Sequence, residues 1–260
     1  MGAHGSGQGT ALGLRRALSA PSDETGNGEA QGEPRRLLHS YGRRRGRKLK
    51  PNQQTLIEGR LPGLSIGKPA PGAMFDIPAL FGFAPRAVWL EIGFGGGEHL
   101  AHQAVNNPDV ALVGAEPFVN GMVSALQHIE MRSLRNVRLY QGDAREILPA
   151  FADGSLEKLF VLHPDPWPKQ RHHKRRLIQT AFLDEAARLL VPGGELRLAT
   201  DDEPYLLWML ERVPVHPAFE WTARTADDWR LYPPDAIETR YAAKARREGR
   251  KPTILRFRRR

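Results

Sequence analysis

Acidic side chains recur in one setting along this chain. Glu91 and Glu116 stand in the apolar runs AVWLEIGF and VALVGAE, Asp143 closes VRLYQGD, Asp165 follows LEKLFVLH, and Asp201 and Asp202 come at the end of ELRLATD. If those runs are parallel strands, the acids gather where strand ends open onto a ligand crevice. Such a set suits a ligand with hydroxyls, an amine and positive charge. Two of the acids also have a plainer use. Asp143 before AREIL and Asp202 before EPYLL stand where a helix favours Asp as its N-cap.

The first turn narrows the ligand. EIGFGGGEHL places Gly93, Gly95 and Gly97 in a G-x-G-x-G array, where missing side chains let the backbone turn sharply and come close to a ligand. Glu116, about 20 residues further on, is placed to accept both hydroxyls of a ribose. A dinucleotide would want a small residue at position 98, which is Glu98, and Glu91 is a poor neighbour for pyrophosphate. The set instead suits S-adenosylmethionine, which joins an adenosine and an amino group to a sulfonium cation. Asp143 with the backbone of Ala144 would meet the adenine edge.

HPDPWPKQRHHKRR, residues 163–176, is the second constellation. Pro164 and Pro166 fix their own φ and push His163 and Asp165 out of the helical region, so Asp165 is expected on a short, stiff, extended segment. Trp167 has two readings, a platform for an unstacked base or an aromatic of the core beside the sheet. The cations from Lys169 to Arg176 suit a phosphate backbone, with His172 and His173 as polar surface residues. His99 and His102 lie one helical turn apart, but no third ligand is evident. They are expected on a helix surface, and no metal is expected.

The elements that position these residues follow from periodicity. The apolar runs are short, bounded by Gly, Pro, Asn or Asp, and too continuously apolar for strands with one wet face. Helical spacing fills the intervals, as in EHLAHQAVNN, VNGMVSALQHIEMR and RRLIQTAFLDEAARLL. The expected fold is a doubly wound, mostly parallel α/β sheet with helices on both faces, with PTILRFRR antiparallel near one edge.

Composition sets the partner. A net charge of +9 in 260 residues favours a polyanion such as nucleic acid. Cysteine is absent, which removes disulfides, thiolate metal sites and thiol nucleophiles. No apolar run approaches the roughly 20 residues of a membrane span, and no secretory signal is evident, so a soluble, cytoplasmic chain is expected, with no membrane and no obligate protein partner. Residues 1–35 read as a disordered tail, whose several acids speak against a transit peptide. Residues 36–60 read as a basic arm and 61–260 as the α/β domain that would bind S-adenosylmethionine. YGRRRGRKLK crowds six cations into ten residues. A lone charge run is usually a solvated linker, but a second basic segment at the far end favours RNA contact through Arg43, Arg44, Arg45 and Arg47.

Taken in order, LEIGFGGG, GAEPFVNG, GDARE, HPDPWPKQRHHKRR, ATDDEPY and ETRYAAKARREGRKP resemble the bacterial single-chain tRNA (guanine-N7)-methyltransferases. The resemblance runs from about Tyr41 to the C-terminus. It implies methyl transfer from S-adenosylmethionine to N7 of the variable-loop guanine of tRNA, forming 7-methylguanosine. It further implies donor contacts at Glu91, Gly93, Gly95, Gly97, Glu116, Asp143, Ala144 and Asp165, with Asp165 catalytic. Lys169, Asp201, Thr239 and Arg240 would meet the tRNA. The family commonly carries an acid two residues after the T-R pair, where this chain has Ala242.

Guanine N7 has a free lone pair, so methylation there needs no proton removal. Asp165 is accordingly expected to orient the base and offset the charge that develops on it. Two other readings stay open. One is methylation of an exocyclic amine, where an acid would have to handle a proton. The other is an RNA-binding module in which the α/β domain is only a scaffold.

Overall fold

The strands form where the apolar runs lie, because each is buried on both sides. A computed structural model describes Met1, residues 41–42 and residues 46–260. The expected tail and Arg43, Arg44 and Arg45 lie outside the described residues, apart from Met1. The described elements, in chain order, are α1 Pro51–Leu64, α2 Ile77–Phe81, β1 Ala87–Ile92, α3 Glu98–Asn106, β2 Val110–Ala115, α4 Val119–Met131, β3 Val137–Tyr140, β4 Leu156–Leu162, α5 Thr180–Leu189, β5 Leu190–Thr200, α6 Glu203–Arg212, β6 Phe219–Trp221, α7 Asp227–Arg230, α8 Arg240–Arg247 and β7 Thr253–Arg259.

The strands build one sheet in the order β3-β2-β1-β4-β5-β7-β6. β1 to β5 run parallel, and β7 is antiparallel to β5 and β6. Alternate side chains enter separate cores. Leu90, Val113 and Leu159 pack on one face, and Trp89, Leu112 and Phe160 on the other. This is the period of two that a sheet covered by helices on both faces requires. The chain winds outward from β1 to β3, then returns to place β4 on the other side of β1. Strand order therefore reverses between β1 and β4, and the crevice opens beyond Ile92 and Leu162.

The antiparallel β7 lies near one edge of the sheet, as expected. β6, only three residues long, lies outside it and is too short to give a periodic signal. The helix read across RRLIQTAFLDEAARLL begins only at Thr180, because Gln170–Arg175 form a 3-10 turn. The boundary between residues 60 and 61 falls inside α1, whose Leu56, Ile57, Leu61 and Leu64 pack on the core beside β3 and α4. Pro51 at its first position and Gln53, whose Oε1 accepts from the Lys50 amide at 3.0 Å, start that helix.

Candidate active site

The glycine loop joins β1 to α3 and forms the floor of the crevice. Gly93, Gly95 and Gly97 have φ of 72°, 55° and 78°, the left-handed region in which a side chain is strained. Gly121 on α4 is a further requirement that the G-x-G-x-G pattern does not announce. A Cβ there would lie 2.3 Å from the Gly95 carbonyl oxygen, so its absence lets α4 close on the loop.

Two adjoining cavities open over this loop, of about 510 and 620 Å³. Both are walled by Gly93, Gly95, Phe118, His163 and Tyr241. The smaller adds Glu116, Asp143, Ala144, Asp165 and Trp167, and the larger adds Glu91, Glu98, Thr239 and Arg240. Most of the expected site residues thus meet in one place. Lys169 does not. It is exposed at the start of the 3-10 turn, outside both cavity walls.

Each acid has a distinct setting. Glu116 is 7% exposed and accepts from the Gly95 amide at 2.8 Å and the Phe118 amide at 2.9 Å. Burial raises its pKa against those two bonds, and the negative Asp165 and Glu91 raise it slightly further. A carboxylate has about four lone-pair sites, so Glu116 can hold the loop and still accept from ribose hydroxyls. Glu91 is buried with His99, whose Nδ1 lies 2.8 Å from Glu91 Oε2. Asp143 caps a 3-10 turn, accepting from the Arg145 amide at 3.1 Å and from its Nε and Nη2 at 2.9 and 2.6 Å. Asp202 caps α6 by accepting from the Tyr205 amide at 2.9 Å. The plain N-cap reading of these two Asp residues describes their geometry.

The residues two positions before and after Asp165 take left-handed backbone, while Asp165 itself does not. His163 has φ of 53°, and Trp167, itself before Pro168, has φ of 46°. Tertiary contacts override the local preference at His163. Its amide donates to the Ala199 carbonyl at 2.8 Å, its Nδ1 lies 3.2 Å from Asp201 Oδ1, and its ring packs 4.9 Å from that of Tyr241. Burial, helped by Arg250, pulls the imidazole pKa down to about 4. Asp201 also pairs with Arg250. That pairing leaves Asp201 only 4% exposed, away from any open surface for RNA.

Asp165 has a different environment. Its side chain reaches solvent at the cavity rim, yet the surrounding walls desolvate it enough to raise its pKa. No hydrogen bond or ion pair from the described residues engages its carboxylate. Trp167 is absent from both cores. It stands at the cavity wall, edge-on to Tyr41 at 6.1 Å and to His172 at 5.9 Å, with the Arg175 guanidinium over its ring at 5.0 Å. The core reading of Trp167 is therefore set aside.

Other expectations are corrected by burial. Arg176 is 2% exposed and unavailable to phosphate. Its Nε donates to the Pro166 carbonyl at 2.7 Å, and its guanidinium lies 4.9 Å from the rings of both Tyr205 and Trp208. His99 is an interior residue, because α3 turns that face onto Glu91 and Phe160. His173 is half-buried against Trp208. Arg240 spans α3 and α4, pairing its Nε with Glu98 and donating from Nη2 to Ser124 Oγ at 2.9 Å. Thr239 caps α8 by accepting from the amide of Ala242, which is 1% exposed.

Comparison with known proteins agrees with this geometry. Residues 85–255 match the family described as "Putative methyltransferase". A tRNA (guanine-N(7)-)-methyltransferase of Rhodospirillum rubrum is 51% identical over 222 residues, 85% of this chain and 87% of that protein. Its namesake from Rhodopseudomonas palustris is 45% identical over 250 residues, 93% of this chain and 90% of that protein. The chain belongs to the tRNA (guanine-N7)-methyltransferase family. Among solved structures, the 16S rRNA methyltransferase KamB shares the fold, with a TM-score of 0.52 at 18% identity over 75% of this chain and 98% of that one.

The methyltransferases of this class take their methyl group from S-adenosylmethionine, and the site fits that donor. A glycine cradle that side chains would obstruct lies beside buried carboxylates at the point of strand reversal, which suits a nucleoside carrying an amine and a sulfonium. Three polar residues of this methyltransferase, Gln103, Arg197 and Asp235, escape a sequence search. His99 carried a signal, four positions before Gln103 on one helix face, but its burial became visible only with the fold. Arg197 and Asp235 pair at 3.1 and 2.9 Å across 38 positions, a separation no local pattern records.

Proposed function

We propose that this chain transfers a methyl group from S-adenosylmethionine to N7 of a guanine in tRNA, the variable-loop guanine by family resemblance, in the cytoplasm. The observation that carries this reading is Asp165, unpaired among the described residues, on the wall of a cavity continuous with the glycine loop. Bound S-adenosylmethionine would supply an electrophilic methyl carbon on a sulfonium. Glu116 and the loop would hold its nucleoside end, and Glu91 its amino group.

N7 attacks with its own lone pair, so no residue need remove a proton. As the methyl group moves, positive charge passes from sulfur to the purine. A fixed carboxylate beside the base stabilises that charge and can accept from the N–H groups of the guanine edge. Asp165 fills this role. Trp167, which lines the cavity, can take the base as a stacking partner. Lys169, Arg171 and Lys174 are exposed on the adjoining turn and would hold phosphates, and Thr239 and Arg240 close the opposite rim. Among the described residues no helix is long and apolar enough to cross a membrane, and no group of three or more metal-binding side chains occurs.

The test is product analysis. Protein, unmodified tRNA and S-adenosylmethionine should yield 7-methylguanosine after nuclease digestion and mass spectrometry. An exocyclic N-methyl base would favour amine methylation, and no methylated base would favour the scaffold reading.

A further inference from the structure

Behind the glycine loop a chain of polar side chains runs through the interior. Glu91 and His99 have side chains only 3% and 2% exposed. His99 Nδ1 lies 2.8 Å from Glu91 Oε2, and the imidazole packs edge-on to Phe160 at 4.9 Å. Gln103 is 1% exposed, with Nε2 3.1 Å from His99 Nε2 and 2.7 Å from the main-chain carbonyl oxygen of Asp235. That carbonyl is held in place, since the Asp235 carboxylate is gripped by the buried Arg197.

These contacts admit one arrangement of protons. A main-chain carbonyl oxygen can only accept, so the Gln103 atom facing Asp235 must be the amide nitrogen. Its second hydrogen then points at His99 Nε2, which must offer a lone pair. The ring proton is left on Nδ1, where it donates to Glu91 Oε2. With Oε2 held, Oε1 remains for the cavity that Glu91 lines.

We propose that His99 is a positioning residue that aims the Glu91 carboxylate at the amino group of the methyl donor, with Gln103 fixing the tautomer that makes this possible. The proposal rests on Glu91 as a donor contact. A ligand-binding carboxylate works only if its rotamer is set before the ligand arrives, and in a buried site the setting must come from a neighbour. Free imidazole favours the proton on Nε2. The Gln103 amide reverses that preference without adding a charge beside the sulfonium site.

Two measurements on the full chain test it. Nitrogen-15 NMR of the imidazole should show His99 as the Nδ1–H tautomer, and an Nε2–H or doubly protonated ring overturns the proposal. Calorimetry with S-adenosylhomocysteine should show about 10-fold weaker binding or worse in His99→Leu, the scale of one hydrogen bond to a charged group. His99→Asn, whose amide can stand where Nδ1–H stood, should recover most of the loss even if His99→Leu folds poorly. In the double variant Glu91→Gln with His99→Leu the two losses should fall well short of adding, as expected of residues acting through one contact. Equal affinity in parent and His99→Leu, or strict additivity, overturns the proposal. The parent's own product separates the two levels. A parent that makes 7-methylguanosine beside an unaffected His99→Leu overturns the positioning role alone, and a parent that binds no donor overturns both.

Discussion

Arg176 Nε donates to the carbonyl of Pro166 at 2.7 Å, from a guanidinium buried against Tyr205 and Trp208. The last cation of a run that looks made for RNA instead ties the segment carrying Asp165 to α6. Charge pattern alone cannot separate the two uses. Burial does, because a desolvated guanidinium cannot reach phosphate and must be satisfied inside.

Arg176→Met and Lys174→Ala should therefore fail in opposite ways. Arg176→Met keeps the stem but removes the bond to Pro166. It should cost about 1–3 kcal/mol in denaturant unfolding and lower kcat, with tRNA affinity nearly unchanged. Lys174→Ala should leave stability within about 0.5 kcal/mol and reduce the salt slope of tRNA binding by about 1. Weaker tRNA binding in Arg176→Met at full stability would return Arg176 to the RNA surface.

Glu116→Ala removes a carboxylate that holds both the Gly95 and Phe118 amides as well as its proposed place at the ribose. Calorimetry should find S-adenosylhomocysteine bound at least about 10-fold more weakly, and NAD bound by neither parent nor variant. Tight NAD binding by the parent would contradict the reading of Glu98 and Glu91 as features hostile to pyrophosphate.

The sheet could be read in advance because its signal is local. A strand buried on both faces is a continuous apolar run, and the acids at the strand ends mark where the crevice must open. The parts that escaped reading depend on distant residues. His163 leaves the extended region because of contacts to Ala199, Asp201 and Tyr241, which lie 36 or more positions away, and His99 turned out to be interior because α3 packs it over Phe160. Asp143 and Asp201 were legible as acids at strand ends, but not as partners of Arg145 and Arg250. Type and place along a strand are written in the chain; what a carboxylate is already bonded to is not.

His163 sets an acid limit on stability. Its pKa is about 4 when folded, against 6.5 for the ordinary imidazole. Between those values the unfolded chain binds the proton and the folded one does not. Stability contributed by the neutral ring is thus complete above about pH 6.5 and is lost as pH falls toward 4. The loss is on the order of 3 kcal/mol, at 1.36 kcal/mol per unit. Denaturant midpoints of the parent should drop over this interval more steeply than those of His163→Gln. Parallel profiles would mean that the folded ring protonates freely.

Asp165 gives the sharpest test of the chemistry. Asn keeps its size and the flanking prolines but removes the charge. Folding and S-adenosylhomocysteine binding should survive, while turnover on tRNA falls by about 100-fold or more, the scale of losing one preorganised electrostatic contact. The cavity walls raise the pKa of this carboxyl, so the charge that stabilises the transition state is lost at a higher pH than for an exposed aspartate. In the parent, kcat should decline on the acid side through that raised pKa. No second limb from a general base should appear near neutrality, since N7 gives up no proton. Asp165→Asn should lack the acid limb, its residual rate running flat where the parent's falls, and its product should still be 7-methylguanosine. An unchanged acid limb in Asp165→Asn would assign that titration to another group. Full activity in the variant would remove the electrostatic role of the acid between the prolines, and the geometry would then leave Trp167 and the loop to orient the base unaided.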